Sequence, residues 1–344
     1  MAKFRDKIFN ENVFEKYLRT LPSTKENSLI KNGLFTNVNK YRSKMSEQAG
    51  GYFVTEPIKG RIGGTPVNYD GLTDIGDGEE RPTYKQTKIC YGRANIWGEY
   101  DFATEITGEN FMAEAQEVKD YWDGERQKTV LSILKGIFSM TGGVNGQFVD
   151  KHTYTVEGNL LADSLNRASQ KALGDKKQNL DVMFVHSAVS TNLESLQLLN
   201  FMTYNDANGI QRDLTLATFN GKLVVVDDDM PTNEVEGEDG ETYTEYTSYV
   251  FKKGFFEFED LGVVKASEVV RDAKKLGGRN ELISRIREMI VPYLISYKDT
   301  SKVSPMNEDF ENGANWELVN DGAVSNTKYV EDKLIPVVRI ISRG

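Results

Sequence analysis

The chain is poor in the residues that much of protein chemistry uses. It has one cysteine, Cys90, in 344 residues. A lone thiol excludes an internal disulfide framework and fits synthesis in a reducing cytoplasm. It has two histidines, His152 and His186. Zinc sites usually draw on several Cys and His ligands, and a Ser-His-Asp site would have to use one of these two rings. Positive charge is also short: 42 Lys and Arg against 52 Asp and Glu, a net charge of −10. A dedicated nucleic-acid reader normally carries a basic excess or stripe. No apolar run approaches the roughly 20 residues of a membrane span. The segment MAKFRDKIFNENVFEKY has no continuous apolar stretch and does not read as a secretory signal. Gly63-Gly64 and Gly142-Gly143 are not followed by the Lys-Ser/Thr of a phosphate loop. What is present is ordinary globular composition, 39% hydrophobic and 27% charged, in a chain long enough for two or three packed units. Carboxylates are plentiful, so an oxygen-ligand metal site or a two-carboxylate mechanism stays formally open.

The first fifty residues are polar with scattered aromatics, broken by LPSTKENS. They predict an extended arm with one short helix around Phe9 to Leu18. From Gly51 to Phe102 the texture is strand-forming, YFVTEPIKGRI and YKQTKICYGRANIWGEYDF, around a centre dense in Gly, Pro, Asp and Asn. This predicts one long hairpin with a polar tip. It has no evident partner within its own chain, and an isolated hairpin is marginal in water. Glu109 to Met140 carries apolar residues at spacings of three and four, from Phe111, Ala115, Val118 and Trp122 to Val130, Ile133 and Ile137. A helix of about thirty residues, some 45 Å long, is a strut; it stops at TGGVNG.

From Leu160 the texture is α+β. LLADSLNRASQKALGD predicts a helix with Leu161, Leu165, Ala168 and Ala172 on one face. Val182 to His186 predicts a buried strand running into a helix with Val189, Leu193 and Leu196. Lys222 to Val226 predicts another strand, Glu234 to Glu245 an acidic solvated loop, and SYVFKKGFFEFED further strands. In KKLGGRN the paired glycines predict a turn with positive φ. ELISRIREMIVPYLISY reads as strand, or as a helix turning into strand, and LIPVVRIIS as strand.

The candidate chemistry is thin. His186-Ser187 lacks the glycines of a G-x-S-x-G elbow, which favours a structural corner with Ser187 as helix N-cap. Thr191 and Glu194 offer an alternative capping box one turn later. Asp227-Asp228-Asp229 lacks the alternate spacing and the glycine of a calcium loop. Arg271 to Arg287 interleaves acids with its bases and predicts a mixed solvated or interface face. Trp97, Trp122 and Trp316 are scattered and predict packing. No catalytic, cofactor-binding or metal-binding residue is expected, and no cofactor.

In their order and spacing, the hairpin GGYFVTEPIKGRIGG…YGRANIWGEYDF, the long helix, ADSLNRASQKALGD…LDVMFVHSAVSTNLESLQ, FNGKLVVVDDDMP and GANWELVND resemble the major capsid proteins of tailed bacteriophages, with the Hong Kong 97-type fold. The resemblance implies an α+β fold: residues 1–50 as an N-terminal arm, 51–103 as the extended β-hairpin loop, and 104–180 as a peripheral domain with its spine helix over 109–140. It makes 181–280 an axial domain and 281–344 a return to the peripheral domain. It implies a non-enzymatic head protein that self-assembles into an icosahedral virion shell of hexamers and pentamers around double-stranded DNA, synthesised and assembled in the bacterial cytoplasm. The implied partners are other copies of itself, a portal protein, a separate scaffolding protein, a decoration protein and non-specifically contacted DNA, with no membrane. Few residues precede the extended loop, so no long fused scaffolding segment is expected. One departure is visible: many relatives carry His-Pro-x-Gly where this chain has Val291-Pro292-Tyr293-Leu294. Lys59, Lys85 and Lys88 lie in the extended loop, and nothing in the sequence makes any of them a cross-linking residue. An encapsulin-like compartment shell sharing the fold is the alternative, and a carboxylate-based hydrolase a third reading.

Overall fold

The computed structural model describes residues 34–47, 52–72, 80–101, 111–205, 211–237, 240–275 and 277–343. The helix expected around Phe9 to Leu18 lies outside them. The described chain is α+β, with two main sheets and one long helix between them.

The long helix, Phe111–Ile137, follows the apolar spacing that predicted it. Its two halves face different surroundings. Val118 and Trp122 pack on Leu282, with Trp97, Val269 and Ile286 around them. From Val130 onward the helix is buried among residues of both sheets, Tyr91 and Ile290 on one side and Phe184, Phe251 and Val337 on the other. It is thus a strut fixed at one end in the main core.

The eight-stranded sheet explains the apolar run at Val182. All four residues of the strand Val182–Val185 are buried. Val182 and Phe184 face the long helix, whereas Met183 and Val185 face the helices Ser164–Leu173 and Ser187–Ser195. A strand covered on both faces has no polar alternation to show. Its neighbours are Lys222–Val226, parallel, and Thr242–Phe251, antiparallel.

The five-stranded sheet is built on Arg279–Pro292, which is strand throughout. One edge carries Tyr91–Tyr100. The other carries Ser267–Asp272 and Phe256–Asp260 in succession, and Phe35–Asn37 of the arm adds a parallel strand. Gly277 and Gly278 close the turn before it with φ of 82° and 131°.

Several expectations are corrected. Tyr84 to Phe102 is not half of one long hairpin. Phe53–Lys59 pairs with Thr83–Ile89 only; beyond buried Cys90 the chain leaves its partner and joins the body sheet. The reason is burial: Tyr91 and Trp97 find apolar cover against the long helix, which a free hairpin lacks. The acidic loop is itself a hairpin, Thr232–Glu236 with Thr242–Phe251. Leu161 precedes its helix and is exposed. The helix Gly143–His152 arises where TGGVNG marked a stop, its glycines masking the signal. By sheet membership, Phe256–Asp260 and Ser267–Asp272 lie in the five-stranded sheet, and Thr153–Thr155 and the last strand, Val337–Ser342, in the eight-stranded one.

Leu294 stands in the left-handed region with φ of 58°. Its side chain is buried in the main cluster. Burying a leucine is worth about 1.5–3 kcal/mol, against about 1–2 kcal/mol for left-handed backbone, so packing holds the strained turn.

His152 is fully buried, its Nδ1–H donating to the Val337 carbonyl at 2.6 Å. Burial pushes the imidazole below its ordinary value, only partly offset by that carbonyl. The folded chain therefore resists protonating a ring that the unfolded chain protonates near pH 6.5. Its contribution is present above about pH 6.5 and is lost as the pH falls toward the lower folded value. Urea unfolding of unassembled protein should show stability falling by up to about 1.4 kcal/mol per pH unit below 6.5. The slope should flatten in His152→Gln; an unchanged slope would locate the acid sensitivity elsewhere.

Candidate functional site

His186 and Ser187 meet Asp228, as a hydrolase would need, but in the wrong order. The His186 Nδ1 accepts from the Ala188 N–H at 3.1 Å, and Nε2 stands 3.8 Å from Asp228. Asp228 also accepts from the Ser187 backbone N–H at 3.3 Å. The Ser187 hydroxyl and backbone N–H hold this carboxyl below the usual range. A triad needs the ring between serine and carboxylate; here the carboxylate is in the middle. His186, not Ser187, is the N-cap, and Thr191 bonds back to the Ser187 carbonyl at 2.9 Å from inside the helix instead of capping it. The expected cap loss moves with it: His186→Ala should cost about 1 kcal/mol in urea unfolding and Ser187→Ala less. The reverse ranking would return the cap to the serine.

Asp227 and Asp229 converge on the Gln127 Nε2 of the long helix, at 3.0 and 2.9 Å. They fasten a strand end to the strut. Among the described residues no group of three or more His, Cys, Asp and Glu gathers as a metal cage. Three of the six bases from Arg271 to Arg287 pair with acids: Arg271 with Asp101 at 2.5 Å, Arg279 with Glu281 at 3.2 Å and Arg285 with Glu268 at 3.2 Å. All three tryptophans pack: Trp97 and Trp122 edge to face, and Trp316 on Tyr297.

Among the described residues, the hairpin tip has large apolar side chains that the chain itself leaves exposed. The hairpin base is tied down. The Gln86 Nε2 donates to the carbonyls of Pro292 at 3.0 Å and Ile295 at 2.9 Å, and the Lys85 N–H donates to the Asn320 carbonyl at 2.8 Å. Lys88 is buried with its Nζ 2.7 Å from Glu56 and 3.2 Å from Glu257. The tip is closed at its root by Gly60 N–H to Pro82 O, 2.8 Å, and Arg81 Nε to Gly60 O, 2.6 Å. Beyond that root Ile62, Val67, Tyr69 and Leu72 stand out, Tyr69 87% and Leu72 92% exposed. The sequence showed the tip as polar turn chemistry; its apolar residues are interspersed singly and gave no periodic signal. No helix among the described residues is long and apolar enough to cross a membrane.

No family model matches the chain. The major capsid protein of Bacillus phage SPP1 is 30% identical over 235 residues, 67% of each chain. Solved structures share the fold at low identity. The cyanophage Pam1 capsid subunit has a TM-score of 0.54, 8% identity and coverage of 94% of this chain and 93% of that one. The capsid of Helicobacter pylori phage KHP30 has a TM-score of 0.52, 10% identity and coverage of 86% and 85%. A long helix set between two sheets, a hairpin tied to the body at its base and a sequence relative of this extent agree: the chain belongs to the major capsid proteins of tailed bacteriophages, with the Hong Kong 97-type fold.

Proposed function

We propose that this chain builds an icosahedral shell of hexamers and pentamers around double-stranded DNA, assembled in the host cytoplasm. The observation that carries this reading is the tip: four large apolar side chains on a hairpin whose base is fixed to the body. Apolar side chains held away from their own core gain burial only against another surface, and in a shell the surface at hand is the next copy. The eight-stranded sheet with its two outer helices would be the axial domain, and the long helix with the five-stranded sheet the peripheral domain. A portal, a separate scaffolding protein and a decoration protein are the further partners. Net negative charge suits a wall that contacts DNA without gripping it, since affinity for the phosphate backbone rests on neutralising cations. No catalytic activity is proposed, because His186, Ser187 and Asp228 lack the relay order.

The test replaces residues 62–80 with a short Gly-containing turn, leaving Arg81 to close on Gly60. The body should melt as the parent does, because its two sheets exclude the tip. Closed shells should fail to form, leaving monomers or open oligomers by electron microscopy and light scattering. Closed shells of parental size would remove the tip from assembly.

A further inference from the structure

The strand Tyr91–Tyr100 is an edge of the five-stranded sheet. It pairs with Arg279–Pro292 on one side, and no strand among the described residues lies on the other. Gly92 marks which residues turn to the open side. Its N–H donates to the Ser304 Oγ at 2.9 Å, and that hydroxyl donates to the Gly92 carbonyl at 3.1 Å. Inward and outward groups alternate along an antiparallel strand, so Ala94, Ile96 and Gly98 turn outward too. The Ile96 N–H agrees, donating to the Asn95 Oδ1 at 2.8 Å. The outward groups of Ala94 and Gly98 have no partner among the described residues. Ser304 closes this window at Gly92, and the strand stops at Tyr100, so the open part is centred on Ile96.

Natural sheet edges are guarded by charges, prolines or bulges. The run Ala94-Asn95-Ile96-Trp97-Gly98 has no charge and no proline, and its ladder to Arg279–Pro292 has no register shift. The face beside it is apolar. Leu282 is buried against the long helix, so Ile283 points to the opposite face, directly across from Ile96. Ile96 itself is 54% exposed.

The window fits a copy of itself. Turned about a two-fold axis through Ile96, a second copy's strand runs antiparallel to the first. Ile96 then faces Ile96, Ala94 faces Gly98, and each outward pair exchanges both its N–H···O bonds. Ile283 and Ile96 of the two copies form one apolar row, with only alanine and glycine to either side. One position further out, Arg93 falls opposite position 99 of the second copy, a glutamate, at both ends of the pairing. No like charges meet. Another extended segment would gain the same backbone bonds without this match at both ends.

We infer that residues 94–98 are a self-pairing edge, which closes on the same edge of a second copy to make one continuous sheet. The contact is small, so it is weak between free subunits and is best read by trapping. It lies apart from the hairpin tip and concerns unassembled protein, so it does not depend on the shell reading.

Cysteine trapping tests it. Opposite residues of a hydrogen-bonded pair stand about 5.5 Å apart at Cα, within disulfide reach. Under mild oxidation of unassembled protein, Ile96→Cys should form a disulfide dimer on the order of tenfold faster than Val264→Cys. Val264 is fully exposed in a loop, so that variant records random collision. In the parent chain, hydrogen exchange at the Ala94, Ile96 and Gly98 amides should slow as protein concentration rises. The Arg93, Asn95 and Trp97 amides, already turned into the ladder, should not change. Ile96→Pro deletes one outward donor and spares the inward ladder, and the concentration dependence should be lost with it. A dimer no faster than that of Val264→Cys, or outward amides indifferent to concentration, overturns the inference. Concentration dependence that survives Ile96→Pro would place a different segment on the edge and overturn it as well.

Discussion

Gly136→Ala should destabilise the protein by about 3 kcal/mol or more, enough to leave much of it unfolded or insoluble. A Cβ on Gly136 would stand 1.8 Å from the Phe310 carbonyl oxygen and 2.6 Å from the Trp316 Nε1. Those two atoms are themselves hydrogen-bonded at 2.7 Å, and Trp316 is buried. Neither can move cheaply, because one is backbone and the other is wedged against Tyr297 and Phe310. Glycine is therefore what lets the helix Asn307–Glu311 lie directly on the long helix. Gly124, in the same helix, has nothing within 4 Å of its Cβ position. Gly124→Ala should stabilise by about 0.5–1 kcal/mol through helix propensity alone. Urea or thermal unfolding of the two variants in parallel is the measurement. Similar stabilities would mean that the close approach at Gly136 is not what positions Trp316.

Arg126→Met should cost about 3–5 kcal/mol in unfolding free energy. Arg126 donates from Nε to Glu288 at 3.1 Å, contacts it again through a second nitrogen, and reaches Asp123 at 2.5 Å. The Glu288 side chain is 2% exposed and sits on the central strand of the five-stranded sheet. Without the guanidinium it keeps only the Tyr91 hydroxyl, at 3.0 Å, among the described groups. The cost is that of a buried charge left without its partner, not the worth of the pair. The double substitution Arg126→Met/Glu288→Met should for the same reason recover most of the loss. A double variant as unstable as the single one would show that Arg126 matters for packing on Phe258, over whose ring it lies at 5.0 Å, more than for charge.

The sequence by itself determined the elements whose burial follows a period. The long helix showed its apolar residues every three or four positions because one stripe faces a core. Val182–Val185 was legible as a buried strand because both its faces are covered; Lys222–Val226 was legible as a strand from its valine run, although only Val224 and Val225 in it are buried. The mismatch at His186-Ser187 was also legible, from the missing glycines. Only the tertiary structure decided where the strand after Cys90 goes. YGRANIWGEY suits a hairpin or a sheet equally well, and its choice depends on Arg279–Glu288, nearly two hundred residues away. The same holds for the contact of residues 40–44 with the hairpin base. Lys40, Lys44, Glu56, Lys88, Glu257 and Glu259 are unremarkable charges along the chain, and their pairing exists only where three distant segments meet. Local pattern records which face of an element is buried. It does not record against what, because the partner's identity is set by chain closure and complementary shape, which no short window contains.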